Sequence, residues 1–123
     1  MTPFGARVRA LRAARGMTLR ALAAQLQVSA AYVSALEHGK RGRPGWHLIQ
    51  RVIAYFNIIW DDAEEVVRLA RISHPRITID TSGLDPRATE LANRLADDIG
   101  KLDPALLDEI LAALDRRKHR PKG

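Results

Sequence analysis

The chain has 123 residues, no cysteine, a formal net charge of +6 and an aromatic content of 5%. That length fits one small domain, or one domain carrying an oligomerising extension. A disulfide framework and a thiolate metal site are excluded, no apolar run is long enough to span a bilayer, and so few aromatics argue against a stacking platform for single-stranded nucleic acid.

Met1-Thr2-Pro3 leads straight into a helix without the pattern of a signal peptide, so the expected compartment is the cytoplasm. The first helix is predicted over Phe4–Arg15, with Val8 and Leu11 inward and Gly16 ending it. Thr18 is a good N-cap for a second helix, Leu19–Leu26, in which Leu19, Leu22, Ala23 and Leu26 recur at i, i+3, i+4 and i+7. Leu26 and Val28 should both point inward across a tight turn, while Ala23 and Ala24 let the two backbones approach. Ser29 caps a third helix, Ser29–His38, with Val33 and Leu36 inward and Gly39 in the left-handed stop position. A fourth helix follows over Trp46–Phe56, with Leu48, Ile49, Val52, Ile53 and Phe56 on its core face. The fifth, Asp61–Ile72, is expected to be capped by Asp61 or Asp62, with Glu64 and Glu65 favouring its first turn and Arg71 its last.

The pattern then changes. Pro75 disfavours helix, and Ile77 and Ile79 alternate with Thr78 and Asp80, so a short strand is one expectation for 74–84. A single strand needs a partner, which a two-fold mate would supply. Asp85-Pro86 opens a sixth helix running to Ile99 and ended by Gly100; Ala88, Leu91, Ala92, Leu95 and Ile99 line one face. Asp103-Pro104 opens a seventh, to about Arg117, striped by Leu106, Leu107, Ile110, Leu111 and Leu114.

Charge is uneven along the chain. Residues 1–45 hold eight Lys or Arg against one acid, residues 46–79 hold four of each, residues 80–115 hold three against nine, and residues 116–123 hold five bases and no acid. A basic block over the two short capped helices is what a phosphate-facing surface requires. The acidic block should face away from DNA, and the basic tail is read as a solvated end rather than a DNA contact.

The run from Thr18 to Lys40 has the sequence form of a DNA-binding helix-turn-helix. Val8, Leu11-Arg12, Arg15-Gly16, Thr18, Leu22-Ala23, Val28-Ser29, Tyr32-Val33-Ser34 and Leu36-Glu37-x-Gly39-Lys40-Arg41 come in one order. That ordered set resembles the XRE family of bacterial and phage repressors, the Cro/repressor-type helix-turn-helix proteins. The resemblance covers about Phe4 to Trp60. It implies a five-helix lambda-repressor-like DNA-binding domain over 1–73; the residue patterns beyond it add an extended linker or short strand over 74–84, a C-terminal helical dimerisation hairpin over 85–117 and a basic tail over 118–123, for an all-α chain. It implies a repressor with double-stranded DNA as partner; the apolar stripes beyond residue 77 add a homodimer on an inverted-repeat operator, and no residue pattern calls for a cofactor, metal or membrane. Base-facing positions fall on Ala30, Ala31, Ser34 and Ala35, with Tyr32 alongside. Phosphate or minor-groove roles fall on Thr18, Arg20, Ser29, His38, Lys40, Arg41 and Arg43. By the same resemblance Arg12 pairs with Glu37.

Two positions depart from the family pattern. Gln27 stands where a turn Gly is usual, at a cost of about 1 kcal/mol if its φ is positive. Leu19 replaces the phosphate-binding Gln that usually opens the second helix, which passes that contact to Arg20 or Thr18. The base-facing set holds no side chain for a bidentate pair with guanine or adenine. Specificity is therefore expected to lean on DNA shape and on Lys40-Arg41-Gly42-Arg43.

Other classes fit less well. His38, His47, His74 and His119 are scattered with no ligand spacing, and no nucleophile elbow, Walker loop or dinucleotide fingerprint is present, so the chain does not read as an enzyme. Leu91, Leu95, Ile99, Leu106, Ile110 and Leu114, with Ile77 and Ile79, are more apolar surface than two helices can bury alone, and a dimer interface is expected there. The alternative is an antitoxin-type regulator whose acidic C-terminal part binds a partner protein. A small-molecule sensor ranks last, because little chain is left for a ligand domain.

Overall fold

The computed structural model describes residues 1–40 and 44–118. Among them are α1 Pro3–Ala14, α2 Leu19–Leu26, α3 Ala30–Glu37, α4 Trp46–Tyr55, α5 Trp60–Arg71, α6 Pro86–Asp98 and α7 Pro104–Lys118, with a 3-10 turn at Ile99–Lys101. The chain is all-α: no described residue lies in a strand. No helix is long and apolar enough to cross a membrane among these residues. Contacts divide the chain into two compact units, Met1–Ile77 and Thr78–Gly123.

In the N-terminal unit, three hydroxyls open three helices. Thr2 Oγ1 accepts from Gly5 N at 3.1 Å, Thr18 Oγ1 from Ala21 N at 3.0 Å, and Ser29 Oγ from Tyr32 N at 3.0 Å. Each satisfies one of the amide donors that a helix start leaves unpaired. The cap at Thr2, followed by Pro3 in the first turn, starts α1 one residue before the expected Phe4. The first four helices also end alike. Gly16, Gln27, Gly39 and Asn57 take φ of 62°, 60°, 71° and 52°. The next amide in each case reaches back to the last helical turn: Met17 N to Arg12 O, Val28 N to Ala23 O, Lys40 N to Ala35 O, and Ile58 N to Ile53 O.

The start of α5 corrects the sequence reading. Neither Asp61 nor Asp62 caps it; Ile59 is the N-cap residue, with no side-chain cap bond. The helix begins one residue early, at Trp60, so both aspartates lie inside the first turn, where their charge meets the positive end of the helix dipole.

Phe4, Val8, Leu22, Leu26, Val33, Val52 and Val66 are fully buried and form the centre of the core. Leu11, Ile53 and Val28, expected inside, are half-buried at its margin. Gly5 lies where α1 crosses the end of α3; a Cβ there would collide with the Leu36 carbonyl oxygen. The unit closes on itself: Phe4 N donates to Ser73 Oγ at 2.8 Å, and the Ser73 hydroxyl donates to the Leu69 carbonyl.

The C-terminal unit is built differently. Asp85 Oδ1 accepts from Arg87 N at 2.8 Å and Asp103 Oδ1 from Leu106 N at 2.8 Å, so both Asp-Pro starts cap as expected. The Arg87 guanidinium also holds the Asp85 carboxyl below its ordinary range, aided by the Arg87 amide. Gly100 does not end α6 directly; it sits in the 3-10 turn Ile99–Lys101. Residues 77–80 do not form the expected short strand: none of them lies in a strand. From Thr78 onward no described residue is buried. Ala88, Ala92, Leu95, Leu102, Leu107 and Ile110 are half-buried, whereas Leu91, Ile99, Leu106, Leu111 and Leu114 are exposed.

Candidate nucleic-acid interface

Two short helices and a three-residue connection build the site. α2 packs on α3 more extensively than any other described pair of helices. Gln27, at φ 60° and ψ 40°, makes the sharp exit from α2, and Ser29 starts α3 two residues later. From 25 residues away, Arg51 Nη1 donates to the Leu26 carbonyl at 3.2 Å, satisfying one orphan acceptor at the end of α2.

The orientation of α3 follows from its burial pattern. Val33, Leu36 and Glu37 are buried against the scaffold. Ala31, Ser34, Ala35 and His38 recur at i, i+3, i+4 and i+7 and so share the other face; Ala31 and His38 are exposed, Ser34 and Ala35 half-buried. Ala30 and Tyr32 instead pack against the edge of the core. Thr18, Arg20, Ser29 and Lys40 are exposed. The Thr18 and Ser29 oxygens are engaged as caps, yet each hydroxyl keeps a proton to donate. Arg41 and Arg43 lie outside the described residues, as does the tail beyond Lys118.

His38 is held in a definite way. Its Nδ1 lies 2.7 Å from the Ser34 carbonyl, which only accepts, so Nδ1 carries the hydrogen. That leaves Nε2 as the ring atom open to a ligand. His38 thus completes the outward stripe of α3. Helical spacing from Ala31 and Ser34 is the signal in the sequence for this placement.

Behind this face sits one ion pair. Arg12 Nε donates to Glu37 Oε2 at 3.0 Å and Nη2 to Oε1 at 3.1 Å, while Nη1 donates to the Met17 carbonyl at 2.9 Å. The Glu37 side chain is 3% exposed and that of Arg12 18%. The hydrogen bonds that Arg12 donates to Glu37 raise the Arg12 pKa against the opposing effect of burial, so the guanidinium is fixed as a cation. One side chain therefore joins α1, the loop after it and the buried side of α3. Arg15, the next arginine along, stacks on the Tyr55 and Phe56 rings at 5.2 and 4.8 Å from their centroids. Neither this stacking nor the Arg51 bond is foreseeable from local sequence, since both join residues far apart in the chain.

Residues 3–58 match the family described as "Helix-turn-helix domain". The chain is also 37% identical over 62 residues to the uncharacterized HTH-type transcriptional regulator RghRB of Bacillus subtilis (strain 168). That alignment takes in 50% of this chain and 45% of the relative, so the chain spans under half of that protein's length. No solved structure matches the chain. The capped two-helix geometry agrees with the family match: residues 3–58 of this chain are similar to a helix-turn-helix domain.

Proposed function

We propose that the chain is a sequence-specific, double-stranded DNA-binding transcriptional regulator of the XRE type, a homodimer that represses by occupying an inverted-repeat operator. The observation that carries this reading is the outward stripe of Ala31, Ser34, Ala35 and His38 on a helix whose opposite side is locked by Glu37. Such a helix enters a major groove with its first turn leading. Ala31 offers a methyl contact to thymine and Ser34 a polar one, with Ala30 and Tyr32 flanking the stripe where it meets the core. Thr18, Arg20, Ser29, His38, Lys40, Arg41 and Arg43 bind phosphate or a narrow minor groove. The net charge of residues 1–45 supports that assignment. The protein acts without cofactor or metal, as a cytoplasmic protein and not as an enzyme.

Genome-wide binding with motif recovery tests the reading; an inverted repeat with half-sites about one helical turn apart is expected. On that operator, Arg41→Ala and Arg43→Ala each flatten the log–log salt dependence by about one unit for every phosphate left unbound. Ser34→Ala costs about 1 kcal/mol at a single base pair. Binding that ignores all three changes at matched salt refutes the surface chosen.

A second reading, an antitoxin-type regulator with a partner protein, is favoured by one observation: no described residue of the C-terminal unit is buried. A purified chain that is a stable dimer by itself decides for the first reading.

A further inference from the structure

Charges of alternating sign line one groove of α6. Arg87, Glu90, Arg94 and Asp98 surround it together with Leu91 and Leu95, enclosing about 300 Å³. Their spacings of three and four residues keep all of them on one side of the helix. Leu91 is 58% exposed, so the floor of the groove is uncovered. Three of these charges, Arg87, Glu90 and Arg94, are paired only loosely within the chain. Arg94 Nη1 lies 3.1 Å from Glu90 Oε2 and Arg87 Nη2 2.7 Å from Asp85 Oδ2, and every one of these side chains is at least half exposed. Surface pairs of this kind exchange partners at little cost.

An even, alternating row of charges complements itself in one orientation alone. Laid antiparallel on a copy, each charge meets its opposite; laid parallel and in register, each meets its like. We propose that α6 pairs antiparallel with α6 of a second copy of this chain, about a two-fold axis near Ala92-Asn93. Leu91 then packs on the partner's Leu95, Arg87 lies against the partner's Asp98, and Arg94 against the partner's Glu90. The contact is isologous, so each pair occurs twice. This inference rests on the homodimer reading above and adds its surface, its orientation and its register.

The absence of cysteine makes a direct test available in the full chain. Arg87→Cys and Asp98→Cys are made separately, checked for unchanged helix content, and oxidised alone and as a mixture. The mixture is expected to yield a cross-linked species near twice the 13.7 kDa of one chain. Neither variant alone should cross-link, because each cysteine lies roughly 15 Å along the axis from its own copy, well beyond the reach of about 7 Å between Cα atoms. In a second arm, Glu90→Lys with Asp98→Lys makes the row uniformly positive, and Arg87→Glu with Arg94→Glu makes it uniformly negative. Each double variant should self-associate at least about tenfold more weakly, and mixing the two should restore a dimer. Cross-linking of Arg87→Cys alone means a parallel pair and overturns the proposal. A dimer by light scattering that shows neither the mixed cross-link nor the charge effect dimerises elsewhere; it overturns the register and leaves the homodimer reading standing. A chain that stays monomeric at tens of micromolar overturns both.

Discussion

The N-terminal and C-terminal units are both helical and both carefully capped, yet one has a core and the other has none. Seven large side chains are fully buried in the first, whereas in the second no described residue is buried. Capping and periodicity therefore specify helices equally well in the two units, but only the first has enough elements to enclose its own apolar face. Secondary structure and tertiary stability come from different parts of the sequence, and α6 and α7 possess the former without the latter.

The largest expected effect probes that contrast directly. Amide exchange in the full chain should find Val33, Leu36 and Val52 strongly protected at every concentration. Protection along α6 and α7 should fall by on the order of 100-fold when the protein is diluted below its dimer dissociation constant. Equal protection in both units at low concentration would erase the distinction.

Next in size is Glu37→Ala. It leaves the Arg12 cation with one partner, the Met17 carbonyl, in a site mostly closed to water. The expected loss is about 3 kcal/mol, seen as a melting temperature lowered by more than about 10 °C. Gly5→Ala should cost about 2 kcal/mol by forcing α1 off the end of α3; a wild-type melt would show that the crossing adjusts freely. Ser29→Ala, measured by denaturant titration, should cost about 1 kcal/mol.

The smallest effect is on pH dependence, and it falls mainly on the C-terminal unit. Ser82 holds Asp80, and Arg87 holds Asp85, below the ordinary carboxylate range. A carboxyl with a lowered folded pKa contributes stability that is present above its unfolded value. That contribution is lost as pH falls below about 3.9 and through the lowered value. Helicity of α6 should therefore decline in that acid window, and Asp85→Asn should remove part of the decline.

Much of this is legible in the sequence, for reasons that differ between residues. Thr18, Ser29, Asp85 and Asp103 announce helix starts because a cap acts within three residues of itself. Gly16 and Gly39 announce stops through backbone freedom. Gln27 and Asn57 do the same work without a glycine, and of the two only Gln27 stands out in the sequence, through its departure from the family pattern. Trp60 is not legible as a helix start. At φ 54° it holds a conformation costly for a bulky residue, and nothing local in the sequence calls for it. Phe4 does not declare itself as a core anchor because its burial comes from a core assembled from helices distant in sequence. The outward stripe on α3 can be read by counting residues. The lock on the His38 ring cannot, because it depends on a side-chain rotamer.

The bond between the Phe4 amide and the Ser73 hydroxyl has a topological consequence. A module that enters and leaves at the same point can be spliced into a loop of another protein without stretching its host. For the same reason, joining residues 3 and 74 with a short bridge and cutting the backbone elsewhere should give a rearranged chain with the same helix packing. Pulling apart the two ends of the N-terminal unit would load this one clasp first and peel the start of α1 from Ser73 before any force reached the turn between α2 and α3.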